Sequence, residues 1–187
     1  MEETLFRAIN GLAGHSAWLD SLMLALGHWS SLLIPGAVLF AYWAWVKRWE
    51  ALAGAGTLTV IVLMADFIGA QAKHLVGRAR PCRVFEHVNQ VAGCGGTFSF
   101  PSNHAMNTAS VAAFLQVLYP ATGWISWPLV ALIGFARVYV GAHFVTDVLG
   151  AWIMGGIIGA GAGWLVLRSG VFTTVMKRAA RGARREA

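Results

Sequence analysis

Residues 148–167 read VLGAWIMGGIIGAGAGWLVL, twenty consecutive positions without a charge. At 1.5 Å per residue a helix of that length is about 30 Å long, the thickness of the hydrocarbon core of a bilayer. A strand crossing the same distance would alternate apolar and polar residues over about ten positions, and this stretch does not alternate. It reads as a membrane-spanning helix. Four further runs have the same character. Residues 105–136 carry no charge, and the turn signal Tyr119-Pro120-Ala121-Thr122-Gly123 splits them into spans near 103–118 and 124–140. Residues 51–72 form a span interrupted by Asp66, and residues 30–46 form one with Pro35 near its end.

Composition supports this reading. The chain of 187 residues is 57% hydrophobic and 12% charged, against about 25% charged in an average soluble domain. Mean hydropathy is +0.62. A globule of this size cannot hide so much apolar surface from water, so a soluble enzyme and a disordered chain are both excluded. Nine Trp and 22 Gly suit membrane helices, where Trp anchors at the interface and Gly permits close packing. The fold class expected is all-α, a polytopic membrane helix bundle of five or six transmembrane helices with an N-terminal amphipathic region.

In residues 1–29, Leu5, Ile9 and Leu12, then Leu19, Leu22, Met23 and Leu26, recur at helical spacing. They are read as interfacial helices, with a short sixth span over 17–29 as the alternative. Glu2, Glu3 and Arg7 precede no long apolar run ending in a small-residue cleavage site, so no cleavable signal peptide is expected. The chain thus divides into an N-terminal segment 1–29, a transmembrane domain 30–168 with an outer loop 73–103, and a basic tail 169–187.

The net charge of +6 is concentrated. Lys177, Arg178, Arg181, Arg184 and Arg185 lie in the tail, and Lys47-Arg48 falls on the same side of a five-span topology. The positive-inside rule makes that side cytoplasmic. The tail is read as a topology determinant drawn to anionic lipid. No aromatic and polar readers surround the charge as nucleic-acid binding requires, so no nucleic-acid partner is expected. Lys73, Arg78, Arg80 and Arg83 are basic on the opposite, outer side, where an anionic ligand would account for them.

Three polar clusters fall at the outer ends of spans: Lys73-His74-Leu75-Val76-Gly77-Arg78-Ala79-Arg80-Pro81; Pro101-Ser102-Asn103-His104; and Arg137, His143 and Asp147. Lys and Arg supply donors and fixed charge for a phosphoryl group, and two His provide acid–base or nucleophilic chemistry near neutral pH. Asp147 follows His143 by four residues; on one helix face its carboxylate would hold an imidazole nitrogen and raise the basicity of the other, making His143 a candidate nucleophile. Ser102 is a natural N-cap, and the helix start it marks suits a phosphate. His104 would stand beside the bound group as acid. Two His and one Asp could also ligate zinc or iron, but three nearby cations would repel a metal ion. No metal and no cofactor are expected.

These clusters closely resemble the three motifs of the type 2 phosphatidic acid phosphatase family, the integral-membrane lipid phosphate phosphatases: K-x6-R-P, P-S-G-H and S-R-x5-H-x3-D. Here they read Lys73…Arg80-Pro81, Pro101-Ser102-Asn103-His104 and Ala136-Arg137…His143…Asp147, within a match over about residues 51–167. Asn103 stands where the family has Gly, and Ala136 where it has Ser. The resemblance implies that Lys73, Arg80, Ser102, Asn103 and Arg137 hold the phosphoryl group. It implies that His143 attacks phosphorus to give a phosphohistidine, that Asp147 orients His143, and that His104 protonates the leaving group and then activates water. The run Asn10-Gly11-Leu12…Leu19-Asp20 resembles short bacterial members acting on undecaprenyl diphosphate. The expected partner is therefore a lipid phosphate substrate among membrane lipids at the outer leaflet of a bacterial cytoplasmic membrane. A lipid phosphotransferase using the same site is the near alternative. A non-enzymatic lipid-binding or transport protein is the distant one, and it would carry charges deep in several spans and inverted repeats.

Two further readings remain. Asp66 lies seven residues before Lys73, on the same helix face and about 10 Å deeper, as a candidate support for the site. Cys82 and Cys94 share the outer loop, where an oxidising compartment permits a disulfide.

Overall fold

The computed structural model describes residues 1–28 and 33–170. The basic tail, with its five Lys and Arg, lies outside the described residues, as do positions 30–32 at the head of the expected first span. All regular elements described are helices. They are α1 (Glu2–Asn10), α2 (Ala17–Gly27), α3 (Leu33–Val46), α4 (Arg48–Val76), α5 (Pro81–Val84), α6 (Asn103–Leu118), α7 (Gly123–Tyr139) and α8 (Val145–Ser169), with a single 3₁₀ turn at Pro120–Thr122 between α6 and α7.

Among the described residues, three segments are long and apolar enough to cross a membrane: Arg48–Val76, Pro120–Tyr139 and Val145–Ser169. Their local chemistry explains their limits. Helix α4 opens with Glu50 in its first turn, closes with Lys73 and His74 in its last, and stops at Gly77, whose φ of 61° is left-handed. Both charges complement the helix dipole, and only glycine takes the left-handed stop freely. Helix α8 opens with Asp147 at N3, accepting from the backbone N–H of Phe144, and ends at Gly170 with φ 64°.

Helix α6 is the centre of the bundle. Its 16 residues span only about 24 Å, but α4, α7 and α8 enclose it. Ala105, Met106, Ala109, Ser110, Ala112, Ala113 and Phe114 are all buried. The α6–α8 contact is the most extensive between helices among the described residues. Ala151, Gly155, Gly159 and Gly163 recur every four residues along the buried face of α8. A Cβ on Gly155 would run into the carbonyl oxygen of Met106, one on Gly159 into that of Ser110, and one on Gly163 would come 2.8 Å from Val117 Cβ. Small residues at this spacing let two helix backbones touch, which is how helices associate where lipid removes the hydrophobic driving force.

The N-terminal helices lie against protein. Phe6 is 1% exposed, with its ring 5.8 Å from both Phe85 and Phe144. Asn10 Nδ2 donates to the carbonyls of Asn89 (2.9 Å) and Tyr139 (2.8 Å), while Asn89 N and Nδ2 donate back to Asn10. Helix α2 packs along α7, and Tyr139 Oη donates to Asp20 (2.8 Å).

The glycine seam makes a sharp prediction. Gly159→Ala should overpack the α6–α8 contact and cost about 1–3 kcal/mol, lowering the melting temperature in micelles. Gly156, beside which nothing lies within 4 Å, should accept Ala without loss. Equal melting temperatures for the two variants would refute the seam.

Candidate active site

The C-terminal ends of α4 and α7 and the N-terminal ends of α6 and α8 point to one end of the bundle. The loop 77–102 closes over this end. An antiparallel bridge between Ala79 and Phe98 ties its two arms, and Cys82 and Cys94 are bonded with Cα atoms 5.9 Å apart. The chain just beyond Cys94 lies against Arg80: a Cβ on Gly95 would sit 3.4 Å from the guanidinium carbon. Gly95 also has φ 69°, so glycine answers both the conformation and the approach.

Each predicted phosphate-binding cation is held in the same manner. Lys73 Nζ donates to the carbonyl of Pro101, Arg80 Nη1 to that of Ala142 (3.0 Å), and Arg137 Nη1 to that of Gly27 (2.9 Å). A carbonyl orients a cation without cancelling its charge. Three further donors of the expected set are buried with no partner among the described residues: Arg80 Nε, Arg137 Nε and Ser102 Oγ. Ser102 takes the N-cap position, but its hydroxyl makes no capping bond. Of the two roles expected of Ser102, helix capping is not seen, and the hydroxyl is buried with no partner among the described residues.

His143 lies in the turn between α7 and α8 and is 3% exposed. Its Nδ1 sits 2.8 Å from the carbonyl oxygen of Ser99. A carbonyl only accepts, so Nδ1 carries the proton and Nε2 keeps its lone pair. The expected hydrogen bond from His143 to Asp147 is not formed: Nδ1 and Oδ2 are 3.7 Å apart, an ion-pair distance rather than a hydrogen bond. The reason is local. Helix α8 starts at Val145, so His143 precedes it and the i, i+4 geometry of a continuous helix does not apply.

Asp147, fully buried, spends its oxygens elsewhere. Oδ2 accepts from Phe144 N (2.9 Å) and Oδ1 from Arg78 Nη1 (2.7 Å). Arg78 was quoted in the first cluster without a task of its own. Here it also donates to Thr146 Oγ1 (2.6 Å) and to Glu2 Oε2 (2.5 Å), with its guanidinium carbon 4.1 Å from the centre of the Phe144 ring. Sequence reasoning missed Ser99, Glu2 and this use of Arg78. The two arginines one residue apart in Arg78-Ala79-Arg80 were the one signal available.

His104 stands in the first turn of α6, next to Asn103. Asn103 Nδ2 (3.1 Å) and Asn107 Nδ2 (2.9 Å) both donate to Asp66 Oδ1. Asp66 therefore clamps α4 to the start of α6 through the residue adjoining His104.

Burial pushes the His143 imidazole down to about 4; the Asp147 carboxylate opposes this, and the Arg137 and Arg80 guanidinium groups add to it. At neutral pH the imidazole is uncharged, with a free Nε2.

A family model described as the PAP2 superfamily matches residues 54–178. The lipid A 4'-phosphatase of Porphyromonas gingivalis is 30% identical over 166 residues, covering 85% of this chain and 70% of that protein. The undecaprenyl-diphosphatase BcrC of Bacillus subtilis is 29% identical over 164 residues, covering 85% and 81%. The crystal structure of a PAP2-type phosphatidylglycerolphosphate phosphatase from B. subtilis superposes with a TM-score of 0.65 at 26% identity, covering 89% of this chain and 86% of that one.

Two outcomes test the geometry. With its pKa depressed in the folded state, His143 binds a proton more readily when unfolded, so stability rises with pH between about 4 and 6.5. The melting temperature should fall on acidification through that window, and fall less in His143→Gln; parallel curves would contradict the buried neutral imidazole. Arg78→Ala should strand the Asp147 carboxylate, cost about 1–3 kcal/mol and lower turnover. Arg78→Lys should restore only part, because it lacks the two-pronged fork.

Proposed function

We propose that this chain, which belongs to the PAP2 superfamily, hydrolyses a lipid phosphate or diphosphate through a phosphohistidine intermediate. It is a multi-pass membrane protein of a lipid phosphatase family. One observation carries the mechanism: three cations are oriented by carbonyls rather than neutralised by carboxylates, beside a histidine whose tautomer leaves Nε2 free. Such a site attracts a phosphoryl group and presents a nucleophile to it.

In this reading Lys73, Arg80, Arg137 and the Ser102 hydroxyl hold the phosphoryl oxygens, with the N–H groups at the start of α6 around Asn103 assisting. His143 Nε2 attacks phosphorus, forming the P–N bond as the bond to the leaving oxygen breaks. His104 gives that oxygen a proton. It then takes a proton from water, whose oxygen attacks phosphorus and releases His143 and inorganic phosphate. The Ser99 carbonyl fixes the His143 tautomer. Asp147 supplies a nearby negative charge that favours the imidazolium-like phosphohistidine, while Arg78 holds Asp147. Asp66 steadies α6 beneath His104.

Relatives named for lipid A, undecaprenyl diphosphate and phosphatidylglycerophosphate share a phosphate attached to a lipid anchor, and that shared chemistry is the substrate class proposed here. A polyprenyl diphosphate is placed first, on the N-terminal likeness carried by Asn10-Gly11-Leu12…Leu19-Asp20. The site end is assigned to the outer face of a bacterial inner membrane. That places Lys47, Arg48 and the basic tail on the cytoplasmic side, as the positive-inside rule asks.

The test is phosphate release by purified protein from a panel of lipid phosphates. His143→Ala should lose about 10³-fold or more. Vanadate, which mimics pentacoordinate phosphorus, should inhibit, and EDTA should not. Equal release by wild type and His143→Ala would remove the nucleophile; strong EDTA inhibition would replace the mechanism with a metal-dependent one.

A further inference from the structure

We infer that the end of the bundle opposite the active site carries a separate binding groove for one anionic phospholipid. A cavity of about 340 Å³ opens there, lined by Tyr42, Trp43 and Val46 of α3, by Lys47, by Leu115 of α6 and by Tyr119 of the α6–α7 turn. Its volume falls within the range of small-molecule sites, about 300–1,000 Å³.

The wall is built rather than incidental. The Trp43 ring rests on α4 at Gly54, where a Cβ would collide with it. Trp43 also meets Tyr119 edge-on, with ring centres 6.3 Å apart. Lys47 Nζ lies 5.3 Å from the centre of the Tyr119 ring and bonds Glu50 Oε1 at 3.2 Å. Those contacts hold an ammonium at the rim of an otherwise apolar slot.

Charge selects the occupant. Among the described residues, this end carries Lys47, Arg48 and Arg168 against the single acid Glu50, which is buried and already paired with Lys47. An acyl chain fits the aromatic slot, and a phosphodiester without a compensating cation suits the positive charge of this end, with Lys47 on the slot itself and Arg48 and Arg168 elsewhere at the same end. Basic pockets between helices on this side of a membrane recognise such head groups. A zwitterionic lipid would fill the slot equally well but gain nothing at the rim.

The experiment uses the full chain in detergent, with lipid retention read by native mass spectrometry. Wild type should retain one phosphatidylglycerol in preference to phosphatidylcholine, and each of Lys47→Gln and Arg48→Gln should lower that preference about five-fold. Val46→Trp, which fills the slot and keeps the charges, should lose the bound lipid altogether. Phosphate release from a short-chain soluble substrate should be unchanged in all three, since none lies at the catalytic end. Equal retention of the two lipids by wild type would overturn the inference without any variant. So would retention that appears only after residues 171–187 are removed, because the occupant would then be the tail.

Discussion

The backbone contact between α6 and α8 is the constraint on which the site depends. His104 lies in the first turn of α6 and Asp147 in the first turn of α8, with His143 just ahead of that helix, so the distance between proposed acid and proposed nucleophile is set by how closely and in what register these two helices meet. Glycines at 155, 159 and 163 allow carbonyl oxygens of α6 to rest on the backbone of α8. Larger side chains would separate the helices by the width of a methyl group and slide the two active ends past each other. The seam therefore acts as a rigid ruler below the chemistry. Because it lies in the apolar interior, no rearrangement of the loop alters it.

A second constraint is electrostatic. Lys73 and Arg80 lie near one carboxylate, Asp147, which Arg78 already engages, and Arg137 lies near Arg80. Several like charges in a poorly solvated site repel one another, and burial also disfavours each. Backbone carbonyls keep the groups in place at a lower electrostatic return than carboxylates would give. The arrangement is unfavourable alone, and under the proposed function a phosphoryl group supplies the missing negative charge, which would concentrate binding energy on the group that reacts.

Much of this was legible in the sequence because it is local. The turn signal Tyr119–Gly123 and the start at Ser102-Asn103 gave α6 its limits to the residue, since helix starts and stops are written in neighbouring side chains. The three motifs could be picked out for the same reason, each being a short run or a fixed spacing in the chain. What could not be read is what depends on distant chain segments meeting. Nothing near Ser99 reveals that its carbonyl faces an imidazole 44 residues away, and nothing in Glu2 points to Arg78. The expected His143–Asp147 bond misled for an instructive reason. A spacing of four implies a shared face only inside a helix, and the two-residue difference between His143 and Val145 decides the matter.

The N-terminal helix shows how the outer loop can be ordered at all. A loop of this length, rich in Gly and polar residues, has little apolar surface with which to offset its own conformational entropy. The disulfide shortens the free chain, and α1 supplies the missing core. Phe6 enters between Phe85 of the loop and Phe144 of the α7–α8 turn, Asn10 satisfies backbone groups of both Asn89 and Tyr139, and Glu2 shares Arg78 with Asp147. Each contact joins the loop to the turn that carries His143. The apolar periodicity of residues 5–12 is thus partly consumed by protein, with Leu5 and Leu12 left half exposed on the other side. Helix α1 serves as a strut for this end of the bundle, and the placement of His143, the proposed nucleophile, rests in part on residues 2–10.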